Sequence, residues 1–427
     1  MNTDSRAMPF HTGHLLGKAS WLETRQAIFL LVLASMLYQM GMCFINTVAF
    51  SVNTALVGLV ELMIYLGCIF YLRHAIPRYM GAFLLLTAVN LLLLTLIRGY
   101  LDPKPFRDIL IVVLFFWLGM TYGSVRLVDR LVAVSLCIAI ALGAFEWLAI
   151  DSYVKLFHTF SYFQNQSGIG VSGGAIFEGQ ALTINGFRPE GIGRTILPWV
   201  FGSHRISSIF LEPISLGNFA TLVLAWSLVH YTRGGPRRYL WFMLGAATLI
   251  AYADSRFGLV ISLLLLAIRF MTPRQLYSLA ALAPWLMATG LVIYASVFFD
   301  GNYSDSFAGR LMQSGLALGK LDFAGLLGGQ SPLRNYGDMG YAYVVTRFGL
   351  IYLLLAWLIF WRVPMPSLAS RRFRVMTCLY MTMILSISGT SLFALKSAGL
   401  LWFMLGTAAV SREDAGHAIA EETVDGA

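Results

Sequence analysis

Nine side chains in this sequence have the type and the spacing to handle an anionic ligand. Arg188, Arg194, Arg205, Arg256, Arg310 and Arg347 supply positive charge, and His204, Glu212 and Asp338 are groups able to take up a proton. Arginine's planar fork matches carboxylate and phosphate oxygens two at a time, and a positioned carboxylate or imidazole acts as a general base. Arg205 and Glu212 close one polar stretch, Arg205-Ile-Ser-Ser-Ile-Phe-Leu-Glu-Pro, and Asp254-Ser255-Arg256 interrupts two apolar runs. Each has a structural reading too. Glu212 before Pro213 suits a helix start, where proline is tolerated and an acid complements the dipole. Asp254 and Arg256 could pair and cap the next helix, and Arg347 could snorkel to an interface. His158 and His204 alone do not make a metal set, and no Walker loop, GxSxG or HExxH is present.

The elements that must position these groups are apolar. Of the 427 residues, 58% are hydrophobic and only 12% charged, with a mean hydropathy of +0.72, which is outside the soluble range. A span needs roughly 20 apolar residues, and about twelve such segments can be drawn, near 27–49, 52–72, 79–97, 108–123, 131–150, 212–231, 238–253, 257–271, 277–299, 338–361, 373–395 and 397–411. Backbone in lipid must satisfy its own hydrogen bonds, so these are helices. Arg73, Arg78, Arg126, Arg130, Arg233, Arg237, Arg269, Arg274, Arg362 and Arg371 fall in connections on one side, which the positive-inside rule makes cytoplasmic.

The expected fold class is therefore an all-α polytopic membrane protein with about twelve transmembrane helices and both termini cytoplasmic. Residues 1–25 and 412–427 are tails, 26–411 is one membrane domain, and 151–211 and 300–337 are long outer loops. Loops of that length inside a compact domain are usually functional. Phe307 to Leu327 reads as an interfacial helix. The pI near 9.4 comes from short connections between apolar runs, which argues against nucleic acid. The four cysteines (Cys43, Cys68, Cys137 and Cys378) fall in apolar segments and read as small core residues. Glu61, Asn90 and Glu146 read as interhelical hydrogen-bond partners, and Glu61 equally as a proton-relay carboxylate in a transporter.

Several short motifs resemble the bacterial Wzy-type polysaccharide polymerases, which are related to the O-antigen ligases. The first are Arg205-x-x-x-x-Phe210-x-Glu212-Pro213 and Ser255-Arg256-x-Gly258. Gly309-Arg310, Gly328-Gly329, Asp338-x-Gly340-Tyr341 and Arg347-x-Gly349-Leu350 follow in order, so the likeness covers about residues 200 to 355 and is nearest to the exopolysaccharide, xanthan-type branch. The resemblance implies a metal-independent membrane glycosyltransferase of the bacterial inner membrane. It would transfer a growing glycan from a polyprenyl-pyrophosphate carrier onto the next lipid-linked oligosaccharide unit, on the periplasmic face. A flippase and chain-length or export proteins would be its partners, and no cofactor is implied.

On that resemblance Arg205, Arg256 and Arg310 would hold the pyrophosphate, with Arg188, Arg194 and Arg347 beside them. Glu212, Asp338 or His204 would serve as the base. The related ligases carry a histidine late in the second loop, and 300–337 has none. Alternative readings are a lipid-linked oligosaccharide flippase or a ligase-like glycan transferase.

Overall fold

The computed structural model describes residues 18–73, 78–167, 194–202, 204–232, 234–302, 307–329, 336 and 339–411. Arg188, Asp338 and most of both tails lie outside the described residues.

The chain opens as a series of long helices joined by short turns: α1 (Lys18–Val48), α2 (Thr54–Leu72), α3 (Arg78–Arg98), α4 (Lys104–Tyr122) and α5 (Val125–Leu148). Asn53 and Ser124 start α2 and α5, each accepting a backbone N–H three residues on, so the turns carry their own capping. The long polar stretch then supplies α6 (Ile150–Leu156), α7 (Thr159–Ser167), α8 (Pro198–Phe201) and a single 3-10 turn, Ser208–Phe210. After it come α9 (Pro213–His230), α10 (Arg238–Ala253) and α11 (Arg256–Met271). A 3-10 segment, Arg274–Leu282, runs into α12 (Ala283–Phe298), followed by α13 (Phe307–Gly319) and α14 (Phe323–Leu326). The chain closes with α15 (Gly340–Phe348), α16 (Leu350–Arg362), α17 (Leu368–Leu385) and α18 (Leu395–Val410).

α9 is apolar on every face and almost wholly buried, as a central helix should be. It packs against α10, α11, α17 and α18. The tightest approach joins α4 to α18. A methyl group added at Gly119 would run into the Phe403 carbonyl, and one at Gly406 into the Phe116 carbonyl, the small-residue contact by which membrane helices come close. Outside this core, Leu62, Leu66, Leu85, Leu92 and Leu96 of α2 and α3 are exposed. They form the lipid-facing surface of a multi-pass membrane protein.

Twelve spans are not present. Among the described residues seven helices are long and apolar enough to cross a membrane, and eight if the bent pair α15–α16 is one span. Four of the expected segments fail. The helices α10, α11 and α18, formed from 238–253, 257–271 and 397–411, have 16 residues each and rise about 24 Å, short of the ~30 Å hydrocarbon layer. α17 carries Arg371, Arg372 and Arg374 in its first two turns. The segment 338–361 is interrupted by a 103° bend between α15 and α16. It falls at Gly349, where φ is +78°, a conformation that favours glycine. The expected interfacial helix is also shorter: α13 ends at Gly319 and packs on α12 and α15, with the Ser314 hydroxyl donating to the Ser386 carbonyl at 2.6 Å. Cys43, Cys68 and Cys378 are buried, whereas Cys137 lies exposed on α5.

Candidate functional site

The polar stretch folds back onto the end of α10. Ile206 N–H donates to the Tyr252 carbonyl at 3.0 Å, and Arg205 Nε donates to the Ala253 carbonyl at 3.1 Å. Arg194, only 7% exposed, spends its guanidinium on carbonyls of Ile196, His204, Ala251 and Tyr252 and stacks over the Phe201 ring at 4.7 Å. The last carbonyls of a helix have no intrahelical partner, and Arg194 with Arg205 takes them. Asp254, buried and left-handed at φ +47°, ends α10. Its Oδ1 accepts from Thr195 N–H at 3.0 Å, Thr195 Oγ1 at 2.9 Å and Ile196 N–H at 2.7 Å. Arg256 Nε donates to the same Thr195 hydroxyl at 3.2 Å. Asp254 and Arg256 are thus linked through Thr195, while Ser255 caps α11 through Gly258 N–H at 2.9 Å.

Beside this lies a carboxylate–imidazole pair. Glu146 is fully buried near the end of α5, and its Oε1 meets His204 Nε2 at 2.7 Å. The same carboxylate accepts from the Ser207 N–H at 3.0 Å and hydroxyl at 3.1 Å, and from Ser208 N–H at 2.6 Å. A carboxylate so fixed sets the tautomer and direction of its imidazole.

Glu212 stands at the start of α9, as its helix-capping reading requires, but its side chain bonds elsewhere. Lys396, on the first turn of α18 and 3% exposed, donates to Glu212 Oε2 at 2.7 Å and to the Phe210 carbonyl at 2.9 Å. Ser215 adds a hydroxyl donor at 2.9 Å. Burial pushes the Glu212 carboxyl up, but Lys396 and Ser215 outweigh it and hold the group below its ordinary value. A carboxylate held that way is a weak base. Gly217, one turn further along α9, seats Ser255: a methyl there would collide with the Ser255 hydroxyl. The Asp254–Arg256 turn therefore packs on the same end of α9 that Glu212 immediately precedes.

The remaining candidates sit apart. Arg347 pairs with Asp102 and lies over the Tyr343 ring at 4.7 Å, in a network that includes Asp108, whose Oδ2 accepts from Tyr343 Oη at 2.7 Å. Arg310 is half-buried on the first turn of α13. The structure therefore brings Arg194, His204, Arg205, Glu212 and Arg256 to one end of the α9–α10–α11 group and leaves Arg347 in a separate cluster. Lys396 is a residue the sequence reading passed over. Its signal was a lone lysine between two apolar runs, Ala394-Leu395-Lys396-Ser397. Glu146 reads from sequence as an interhelical hydrogen-bond partner, whereas its partners here are His204, Ser207 and Ser208 of the polar stretch. Comparison of the chain with protein-family models, with curated proteins and with solved structures finds no match.

Proposed function

We propose that this chain is a membrane glycan transferase. It would polymerise polyprenyl-pyrophosphate-linked oligosaccharide units at the outer face of a bacterial inner membrane. The observation that carries the reading is the gathering of Arg205 and Arg256 beside the Glu146–His204 pair, from segments far apart in sequence, at one end of a membrane-embedded helix group. Arg256 and Arg205 offset the pyrophosphate charge as it leaves, the work of electrostatic stabilisation in a water-poor site. The acceptor hydroxyl oxygen bonds to the donor's anomeric carbon, and the bond from that carbon to the pyrophosphate oxygen breaks. The hydroxyl proton goes to His204, whose imidazolium Glu146 stabilises. Glu212, already committed to Lys396, positions the loop. The bond energy resides in the lipid-linked donor, so the reading calls on no nucleotide site. A flippase and chain-length or export proteins of the same membrane are the partners this function implies.

The test is reconstitution in liposomes with a lipid-pyrophosphate oligosaccharide and sizing of the products. A ladder of unit multiples is expected, reduced at least about a hundredfold in Arg256→Ala and in His204→Gln. Substrate that crosses between leaflets without growing would overturn the transferase reading in favour of a carrier.

A further inference from the structure

Away from the α9 junction, the helices α3, α4, α12, α16, α17 and α18 surround a partly open cavity of about 350 Å³. Phe83, Ile109, Trp285, Leu353, Met381 and Trp402 each line it from one of these helices. The lining follows one face of α16 from Leu350 to Val363, the two ends of that helix. At about 1.5 Å per residue this is roughly 20 Å, so the space is long rather than round. Its wall is apolar, and three polar groups of the lining are spent on the protein's own backbone. Thr382 Oγ1 donates to the Cys378 carbonyl at 2.9 Å, Tyr341 Oη to the Thr382 carbonyl at 3.0 Å, and Trp357 Nε1 to the Ala281 carbonyl at 2.9 Å. Water is held in a cavity only by several polar partners, and a wall of this kind suits hydrocarbon.

Near the start of α4 the character changes. Val344 and Phe393 belong to the lining, and the Phe393 ring lies 6.3 Å from that of Tyr343. The Lys104 ammonium stands 5.2 Å from the centre of the same Tyr343 ring. Lys104 is half-buried and is the first residue of a helix long enough to cross the membrane, which is the depth of lipid head groups. Ile109 and Phe116, on the cavity wall, lie further along that helix.

The neighbouring charges are already matched. Arg347 pairs with Asp102, and Arg107 with Asp108 at 2.9 Å and Glu61 at 3.9 Å. Arg98 takes the carbonyls of Gly328, Thr346 and Arg347. Among the described residues, the Lys104 ammonium makes neither an ion pair nor a hydrogen bond. One positive charge is therefore left over beside a long apolar cavity.

We infer that this cavity seats one membrane phospholipid of single negative charge, with an acyl chain along α16 and the phosphodiester at Lys104. Burial of the chain alone would accept any lipid, and the uncompensated lysine selects an anionic head group. Neither α9, α10, α11 nor residues 194–212 contribute to the lining. The lipid is thus separate from any that reacts at the junction, and the assignment does not rest on the proposed function.

The experiment is native mass spectrometry of the full chain in detergent, with phosphatidylglycerol, phosphatidylethanolamine and polyprenyl phosphate offered in equal amounts. One phosphatidylglycerol should stay bound, favoured over phosphatidylethanolamine about fivefold, with the preference gone in Lys104→Gln. Ala356→Trp, which fills the cavity from α16, should retain neither phospholipid. Lys104→Gln removes no bond within the protein, so it keeps the test decisive even where Ala356→Trp fails to fold. No retained lipid, equal retention of the two phospholipids, or an unchanged preference in Lys104→Gln would overturn the assignment. Polyprenyl phosphate displacing phosphatidylglycerol would overturn it as well, by making the cavity a seat for an isoprenoid chain. Absence of a product ladder in liposomes would remove the polymerase reading and leave the phospholipid site standing.

Discussion

Glu212 and Lys396 meet across 184 residues of chain, and the lysine also holds the carbonyl of Phe210, the last residue of the 3-10 turn before α9. Replacing Lys396 with methionine leaves a carboxylate in an enclosed setting without its cation. Because about a third of the Glu212 side chain is open to solvent (32%), the cost should be about 1–3 kcal/mol rather than that of a fully buried pair. The pH dependence has a definite sign. A carboxyl whose folded value is depressed contributes stability that is fully present above its unfolded value, ordinarily near 4.5, and is lost as pH falls through the folded value. Melting measured from pH 7 down to pH 3 should show a drop in the parent that Lys396→Met lacks. An equal drop in both would refute this account of the pair. Of the site's residues, Arg205, Arg256, Glu212 and His204 were legible as chemistry-bearing types in polar stretches. Glu146 and Lys396 were not, because a single polar residue in an apolar run looks the same whether it serves a neighbouring helix or a distant loop.

Arginine use follows helix ends. Arg194 takes carbonyls at the end of α10, and Arg98 those of Thr346 and Arg347 at the end of α15. Arg269 takes Leu228 and Tyr231 after α9, and Arg374 takes Trp361 and Val363 after α16. Helix C-terminal carbonyls lack internal partners, and inside a bilayer no water replaces them. From sequence alone Arg194 points to an anion and Arg269 to topology, since a backbone carbonyl partner leaves no mark in sequence. Arg194→Ala should therefore lower the melting temperature by the equivalent of about 3 kcal/mol, whereas Arg256→Ala, whose hydrogen bond is one long contact to Thr195, should leave it nearly unchanged. The α4–α18 contact makes a second demand at this scale. Gly406→Val should separate the two helices and cost several kcal/mol through backbone collision with Phe116. Thermal melting in detergent would measure it, and a stability equal to the parent's would contradict the packing.

For the molecule as a whole, the apolar runs coincide with most of the long helices. They overcounted spans because segments of about 15 or 16 residues, such as 238–253, are admitted there as full crossings. The helix formed from 238–253 is apolar enough but stops at 16 residues, where Asp254 turns left-handed. The contacts nevertheless fix which connections share an end. The turn after α1, the start of α4 and the segment around Thr195 belong together, through His158 N–H donating to Thr47, Asn46 donating to Ser161 of α7, Arg107 approaching Glu61, and Arg194 bonding the end of α10. Cysteines introduced at Ser51, Asp102 and Thr195 should be modified from one side of sealed vesicles, and those at Gly123 and Gly235 from the other. A mixed pattern would break the helix arrangement.

The bond from Lys396 back to Phe210 and Glu212 also has a consequence in time. A ribosome delivers the loop and α9 long before α18 has been made, so the nascent chain carries Glu212 without its cation until α18 emerges. Chains interrupted before Leu395 would insert their earlier helices yet lack a fixed junction. The junction at the start of α9 is therefore fixed only once α18 has been made, so the order of synthesis sets the order in which this part of the fold can close.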